Sequence, residues 1–111
     1  MEFNLHEMAT FGIAGNFTGH LEQAGEAVDF ANIKTTEESA PKAIFPTYIP
    51  SENSPIPKFL STFPFDSTKI IYPQNETKIQ LEPECAIIFD TTWENSKITK
   101  LNPIAFGASN D

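Results

Sequence analysis

The apolar residues of this chain fall into short groups that polar residues and prolines separate. Phe11–Ala14 is a short apolar run, and Gly15-Asn16 follows it as a turn. Apolar residues then recur at helical spacing, at Phe17, Leu21 and Ala24. This order predicts a strand, a turn and a short helix with Asn16 as its N-cap. The polar stretch from Glu22 to Ala40 is typical of a surface loop or mobile flap.

From Ala43 onward the pattern favours strands. Several of the nine prolines of the chain are concentrated in its middle and exclude long helices there. The β-favouring groups are Ile44-Phe45, Tyr48-Ile49, Ile70–Tyr72, Ile79–Leu81, Cys85–Phe89 and Ile98. We therefore expect an α+β, mostly β fold with a short N-terminal helix and long Pro-rich loops. It forms one domain over 1–111, with a strand, helix and lid-like loop in 1–42 and a strand-rich segment in 43–111.

The C-terminal residues resemble the interior of a domain. Ile104–Asp111 begins as an apolar, strand-like run and reaches the end of the chain without a closing turn. Because natural domain ends are usually polar and frayed, this pattern predicts that the chain is a truncated domain.

Composition and charge exclude several classes of function. The formal net charge of -8 would repel a nucleic-acid backbone. The first residues carry neither the basic nor the apolar part of a signal peptide, and no apolar run approaches the roughly 18 residues that cross a bilayer. We expect a cytoplasmic protein with no nucleic-acid or membrane partner.

The single Cys85, in an apolar run, is expected to be a core residue.

Glu82 and Glu84 carry the most informative pattern. On a strand, side chains two residues apart project to one face, with α-carbons about 6.6 Å apart. The other face would carry Leu81, Cys85, Ile87 and Phe89 and so form a core face. Two carboxylates that converge in partly covered space repel each other unless a cation or a proton compensates.

A divalent cation satisfies this arrangement, and Asp111 on a neighbouring strand is the candidate for a third oxygen ligand. All-oxygen ligation suits Mg²⁺ or Mn²⁺, and also Ca²⁺, better than zinc. Pro83 lacks a ladder N–H and places this part of the strand at an edge or bulge. The alternative is that Glu82 and Glu84 form the solvated face at the start of a strand.

These motifs resemble those of the fumarylacetoacetate hydrolase family. Its members carry a Glu-x-Glu pair on one strand and an Asp at the end of a later strand as metal ligands. Glu82-Pro83-Glu84 is similar to the pair, Ile71-Tyr72-Pro73 to the proline segment before it, and Ala105–Asp111 to the later strand. The resemblance implies a mixed β-sandwich roll and a metal site made by Glu82, Glu84 and Asp111.

An N-terminal motif extends the resemblance over nearly the whole chain. Gly12–His20 is similar to the family's strand, Gly-x-Asn-Tyr-x-x-His and short helix. By resemblance, His20 transfers protons from a lid, and Asn16 and Phe17 contact the substrate. The chain departs from the family at Gly15, where a basic residue is expected, and at Gln23, where the catalytic Glu is expected; it also lacks the expected Lys. Glu22 is the candidate replacement for the missing carboxylate, and Glu26 is an alternative.

The resemblance implies a metal-dependent hydrolase or lyase that stabilises an enolate of a small 2-oxo acid or 1,3-dicarbonyl substrate. Family members generally form dimers, which implies a homodimer. Two alternatives remain open: a catalytically silent relative that binds a ligand or partner, and an acidic β-rich interaction module without a metal.

Overall fold

The computed structural model describes residues 2–16, 27–37, 40–51, 55–66 and 68–110. The chain divides into two compact units, Met1–Thr68 and Lys69–Asp111. The elements of the first unit are a 3-10 helix Leu5–Glu7, strand β1 Thr10–Ala14, helix α1 Ala27–Phe30, strand β2 Ala43–Tyr48 and helix α2 Lys58–Ser61. Those of the second are strands β3 Pro83–Glu94 and β4 Lys97–Asn110. No helix in these ranges has the length and apolar character to span a bilayer.

The first unit contains an antiparallel pair, β1 and β2, in which Gly12 lies opposite Phe45. The amide of Lys42 donates to the carbonyl of Ala14 at 2.8 Å and extends the pairing beyond the strands. Gly15 follows β1 with a φ of 69°, a left-handed conformation in which a side chain would be strained. The predicted strand at Phe11–Ala14 and the turn after it are confirmed, and so is a strand at Ile44-Phe45.

Tyr48 is the centre of the small core of this unit. It is 6% exposed, and its hydroxyl donates to the carbonyl of His6 at 2.9 Å. Its ring meets Phe63 edge-on at 5.3 Å, and Phe63 meets Phe65 in the same way at 5.4 Å. The His6 ring stacks on Phe63 at 3.6 Å. Since edge-on and stacked aromatic pairs are stabilising beyond the area they bury, this cluster joins β2 to the segments before β1 and after α2.

The second unit is a long β-hairpin. Glu94 pairs with Lys97, which leaves Asn95-Ser96 as a two-residue turn. Both turn residues have positive φ, 50° and 61°, as a type I′ turn requires. The ladder runs from there to the pair Pro83–Asn110. Two register shifts leave Thr99 and Ile104 of β4 as the additional residues of two bulges.

The two faces of the hairpin differ in chemistry. Because side chains alternate along a strand and paired residues share a face, the register assigns each residue of β3 to one side. One face carries Cys85, Ile87, Phe89, Thr91 and Trp93; the indole Nε1 of Trp93 donates to the Thr91 hydroxyl at 3.0 Å, as neighbours on one face can. The other face carries Glu84, Ala86, Ile88, Asp90, Thr92 and Glu94.

The described residues are mostly β, as the sequence predicts, but three expectations need correction. Ile70–Tyr72 and Ile79–Leu81 are not strands, since neither has a ladder partner in the described residues. Cys85 is exposed, and the expected core face is open: Leu81, Ile87 and Phe89 are 66%, 50% and 39% exposed, because among the described residues 69–110 of the second unit no further element packs on the two-stranded sheet. The expected loop at 22–40 contains the helical turn α1.

The predicted subdivision at residue 42 does not coincide with the boundary between the two units at 68/69. The reason is the pairing of β1 with β2, which joins the two predicted segments. The helix predicted after Asn16 lies outside the described residues.

Gly12 gives a test of the β1–β2 pairing. A Cβ built on Gly12 would lie 2.5 Å from Cζ of the Phe45 ring, so Gly12→Ala must displace that ring. Because Phe45 is partly exposed, the ring can turn outward, and we expect a loss of about 1–2 kcal/mol in the free energy of unfolding. Urea denaturation followed by far-UV circular dichroism measures it.

Gly107→Ala is the matched control, since a Cβ there meets nothing within 4 Å. We expect its unfolding free energy to change by less than about 0.5 kcal/mol. In the double variant Gly12→Ala/Phe45→Ala most of the Gly12 penalty should disappear. Equal effects of the two glycine substitutions would contradict the close approach of Phe45.

The turn residue Ser96 gives a second test. Its positive φ costs a non-glycine residue about 1 kcal/mol, so Ser96→Gly should stabilise the hairpin by about 0.5–1 kcal/mol. Denaturant unfolding monitored by Trp93 fluorescence reports on this hairpin. Thr99→Gly, on β4 with no positive φ, should instead destabilise it. A destabilising Ser96→Gly would be inconsistent with the type I′ turn.

Candidate metal site

The candidate site lies at the open end of the hairpin, where β3 begins and β4 ends. Pro83 pairs with Asn110 and Glu84 with Ser109, while Glu82 immediately precedes β3. Glu84 is exposed and Glu82 is half-buried. Pro83 lacks an N–H, and its strand has a neighbour on one side in this two-stranded sheet, which agrees with the predicted edge position.

Glu82 is attached to the end of β4 although it lies outside the ladder. Its backbone amide donates to Oδ1 of Asn110 at 3.0 Å. One oxygen of its carboxylate, Oε1, accepts from Nε2 of Gln80 at 3.0 Å. The Asn110 side chain thus continues the connection between the strands by one residue, and Gln80 orients the Glu82 carboxylate.

The face that carries Glu84 is the more covered side of the hairpin near this end. Ile88, Ala105 and Ser109 are half-buried, whereas the other residues of β3 and β4 are exposed. All three lie on the same face as Glu84, because Ile88 pairs with Ala105 and Ser109 pairs with Glu84 itself. Glu84 and Ala86 of the same face are nevertheless exposed, so the cover is confined to the surroundings of these three residues.

Most other predicted site residues lie outside the described part of the chain: Phe17, His20, Glu22 and Asp111. Asn16 is described; it is half-buried and follows the left-handed Gly15. Within the described residues no cluster of three or more His, Cys, Asp or Glu could hold a metal. Since Asp111 is not among those residues, the three-carboxylate set stays a prediction.

The sequence pattern does not identify two residues that hydrogen-bond Glu82: Gln80 and Asn110. In the sequence, Asn110 is one residue of the Ala105–Asp111 motif, and nothing in its position indicates the bond to the Glu82 amide. Gln80 stands two residues before Glu82, and an extended segment is the one local signal that brings such neighbours together.

The oxygen-only donor set of this site fits a hard divalent cation. Mg²⁺, Mn²⁺ and Ca²⁺ take carboxylate and amide oxygens, and a zinc site would more often include His or Cys. Cys85 follows Glu84 directly but lies on the opposite face, so its thiol is not directed toward the carboxylates.

Comparison with known proteins gives one family. No curated protein and no solved structure matches the chain. A family model described as a family of unknown function, DUF5718, matches residues 26–111, which include both strands of the hairpin and the Glu82–Glu84 pair. The match extends over most of the chain, and the protein therefore belongs to the DUF5718 family.

Proposed function

We propose that this protein is a divalent-metal-dependent hydrolase or lyase that acts on a small 2-oxo acid or 1,3-dicarbonyl compound. Glu82, Glu84 and Asp111 would hold the cation, Mg²⁺ or Mn²⁺ with Ca²⁺ as a further possibility. The reaction would be C–C bond hydrolysis, decarboxylation or isomerisation within a fold of the fumarylacetoacetate hydrolase type.

The register at the open end of the hairpin is the observation that carries the proposal. Glu84 lies opposite Ser109, and Pro83 lies opposite Asn110. If the pairing continued by one residue beyond the ladder, Glu82 would lie opposite Asp111. Opposed residues share a face, and residues two apart on an extended segment, such as Glu82 and Glu84, project to the same side. A register continued in this way would direct the carboxylates of Glu82, Glu84 and Asp111 to one volume.

Hydrogen bonds beside these carboxylates support the same proposal. The backbone amide of Glu82 donates to Oδ1 of Asn110 at 3.0 Å. Asn110 precedes Asp111 in the chain, so this bond holds Glu82 beside the residue that would bind the same cation. Gln80 restrains one Glu82 oxygen through its amide at 3.0 Å. Outer partners of this kind orient ligand carboxylates and raise metal affinity.

A bound cation supplies Lewis-acid stabilisation of a negatively charged enolate oxygen. The chain's own residues would supply orientation and proton transfer. His20 would act as the base that activates water or accepts a proton, since an imidazole can exchange a proton near neutral pH, and Glu22 would orient it. Asn16 and Phe17 would contact the substrate. The half-buried state of Asn16 beside the turn at Gly15 suits a substrate contact.

A silent relative that retains the scaffold for binding is the second candidate function. Gly15 and Gln23 replace the basic residue and the catalytic Glu that the resemblance implies, so a protein of this kind would lack the proton-transfer groups and still bind the metal. An acidic interaction module without a metal is the third candidate, and the exposure of Glu84 is the observation that favours it.

Metal binding is tested first, by calorimetric titration with Mn²⁺ and Mg²⁺. We expect one site per chain, and Glu84→Gln should weaken Mn²⁺ binding at least about tenfold because one of three ligand carboxylates is lost. Asp111→Asn should have a similar effect.

Glu94→Gln is the matched control, since Glu94 lies on the same face at the opposite end of β3 and is also exposed. Its affinity should equal that of the wild type. Absence of binding, or equal affinities for the Glu84 and Glu94 variants, would exclude the metal site and favour the module.

Turnover separates the enzyme from the silent relative. With Mn²⁺ present, we expect the protein to cleave or decarboxylate oxaloacetate or an acylpyruvate. The loss of substrate absorbance measures the rate. His20→Asn should lower kcat at least about 100-fold without a change in Mn²⁺ affinity, because general-base catalysis contributes about that much. His6→Gln is the control, as His6 stacks on Phe63 in the first unit. A metal-binding protein without turnover on these compounds would favour the silent relative.

A further inference from the structure

The outer edge of β3, the side of the strand that faces away from β4, is unpaired. In an antiparallel pair the backbone N–H and C=O groups of successive residues point alternately toward the partner strand and away from it. Within residues 69–110 the sheet consists of β3 and β4, and no other backbone group bonds to β3. Eleven of the twelve residues of β3 are exposed. The outward backbone groups are therefore accessible to another strand.

The two edges of the hairpin differ in the features that prevent pairing with further strands. Proteins protect exposed edges with prolines, bulges and lysines. β4 has all three, in the residues Pro103, Thr99 and Ile104, Lys97 and Lys100. β3 has no bulge and no lysine, and its one proline, Pro83, is its first residue. The outer edge of β3 is thus the edge on which a further strand can pair.

The charged residues of β3 are all acidic. Glu84, Asp90 and Glu94 lie on its polar face. Its apolar face carries Cys85, Ile87, Phe89, Thr91 and Trp93. A neighbouring strand places its alternate residues on these same two faces, where opposite charges attract and like charges repel. The edge therefore complements a strand in which basic residues alternate with apolar residues.

The same charges disfavour a second copy of this chain as the added strand. Two β3 strands that pair antiparallel about Phe89, with their apolar faces on one side, would place Glu84 of each copy opposite Glu94 of the other. Both of these pairs would repel. The net charge of -8 adds repulsion between whole chains. A basic partner is instead attracted by the strand and by the whole chain.

We propose that the outer edge of β3 binds an extended segment of another protein in which basic and apolar residues alternate. The segment would add a third strand to the sheet, with its basic residues beside Glu84, Asp90 and Glu94. In this mode of recognition main-chain hydrogen bonds supply affinity, and the alternating side chains supply specificity. Because a two-stranded ribbon is marginally stable by itself, the added strand would also stabilise the hairpin.

A synthetic peptide of lysine and valine in alternation, as long as the segment Glu84–Glu94, tests the proposal. Fluorescence anisotropy of the labelled peptide measures its Kd for the full chain, with a chelator present so that no metal contributes. We expect one peptide per chain and weaker binding at higher salt, which screens the charges. The same peptide N-methylated along its backbone keeps every side chain but has no N–H to donate. It should bind at least about tenfold more weakly.

Asp90→Lys should weaken binding of the peptide at least about fivefold, since it replaces an attraction near the middle of the edge with a repulsion. Glu76→Lys is the matched control. It makes the same change in net charge at an exposed position in the segment before β3. Its Kd should stay within about twofold of the wild-type value, because a charge away from the edge is largely screened.

Amide hydrogen exchange locates the bound peptide and needs no variant. The peptide should slow the exchange of β3 amides that point away from β4 and leave the outward amides of β4 unchanged. Absence of binding, equal affinity of the N-methylated peptide, equal effects of Asp90→Lys and Glu76→Lys, or protection of β4 instead of β3 would each overturn the proposal. If Asp90→Lys is unfolded by circular dichroism, the exchange measurement decides. Since no metal is present, these outcomes are independent of the proposed metal site.

Discussion

The cross-strand register of the β3–β4 hairpin is the constraint on which the second unit depends. The turn at Asn95-Ser96 fixes Glu94 opposite Lys97, and the bulges at Thr99 and Ile104 then set which residues of β4 face each residue of β3. A shift by one residue would move every side chain to the other face. The position of Glu84 beside the end of β4 and the continuity of the apolar face both result from this register.

The hairpin separates two kinds of chemistry on its two sides. The side with Glu84 carries charges and is partly covered at its open end, where Ile88, Ala105 and Ser109 are half-buried. The opposite side is uncharged and exposed. Because residues alternate along a strand, one sequence can build a polar site and an apolar contact within the same few residues without either intruding on the other.

The first unit depends on a different principle, since its strands are short and its chain is rich in proline. Tyr48 is its one buried large hydrophobic residue among those described, and the ring contacts through Phe63 hold the N-terminal segment to the chain after α2. The hydroxyl of Tyr48 bonds a backbone carbonyl and so removes the cost of burying a polar group. A few aromatic side chains can therefore order a segment in which prolines prevent long regular elements.

The sequence alone determined the strand at Phe11–Ala14, the turn after it, the strand at Cys85–Phe89 and the edge position of Pro83, because local periodicity and turn chemistry act between near neighbours. It also predicted Glu82 and Glu84 on one strand, of which only Glu84 lies within β3. Only the tertiary structure decided that Ile70–Tyr72 and Ile79–Leu81 are not strands, that Asn110 binds the Glu82 amide and that Cys85, Ile87 and Phe89 face solvent. Strand pairing and burial depend on residues far apart in the chain. An apolar pattern shows which face of a strand is suited to burial, but not which residues pack against it.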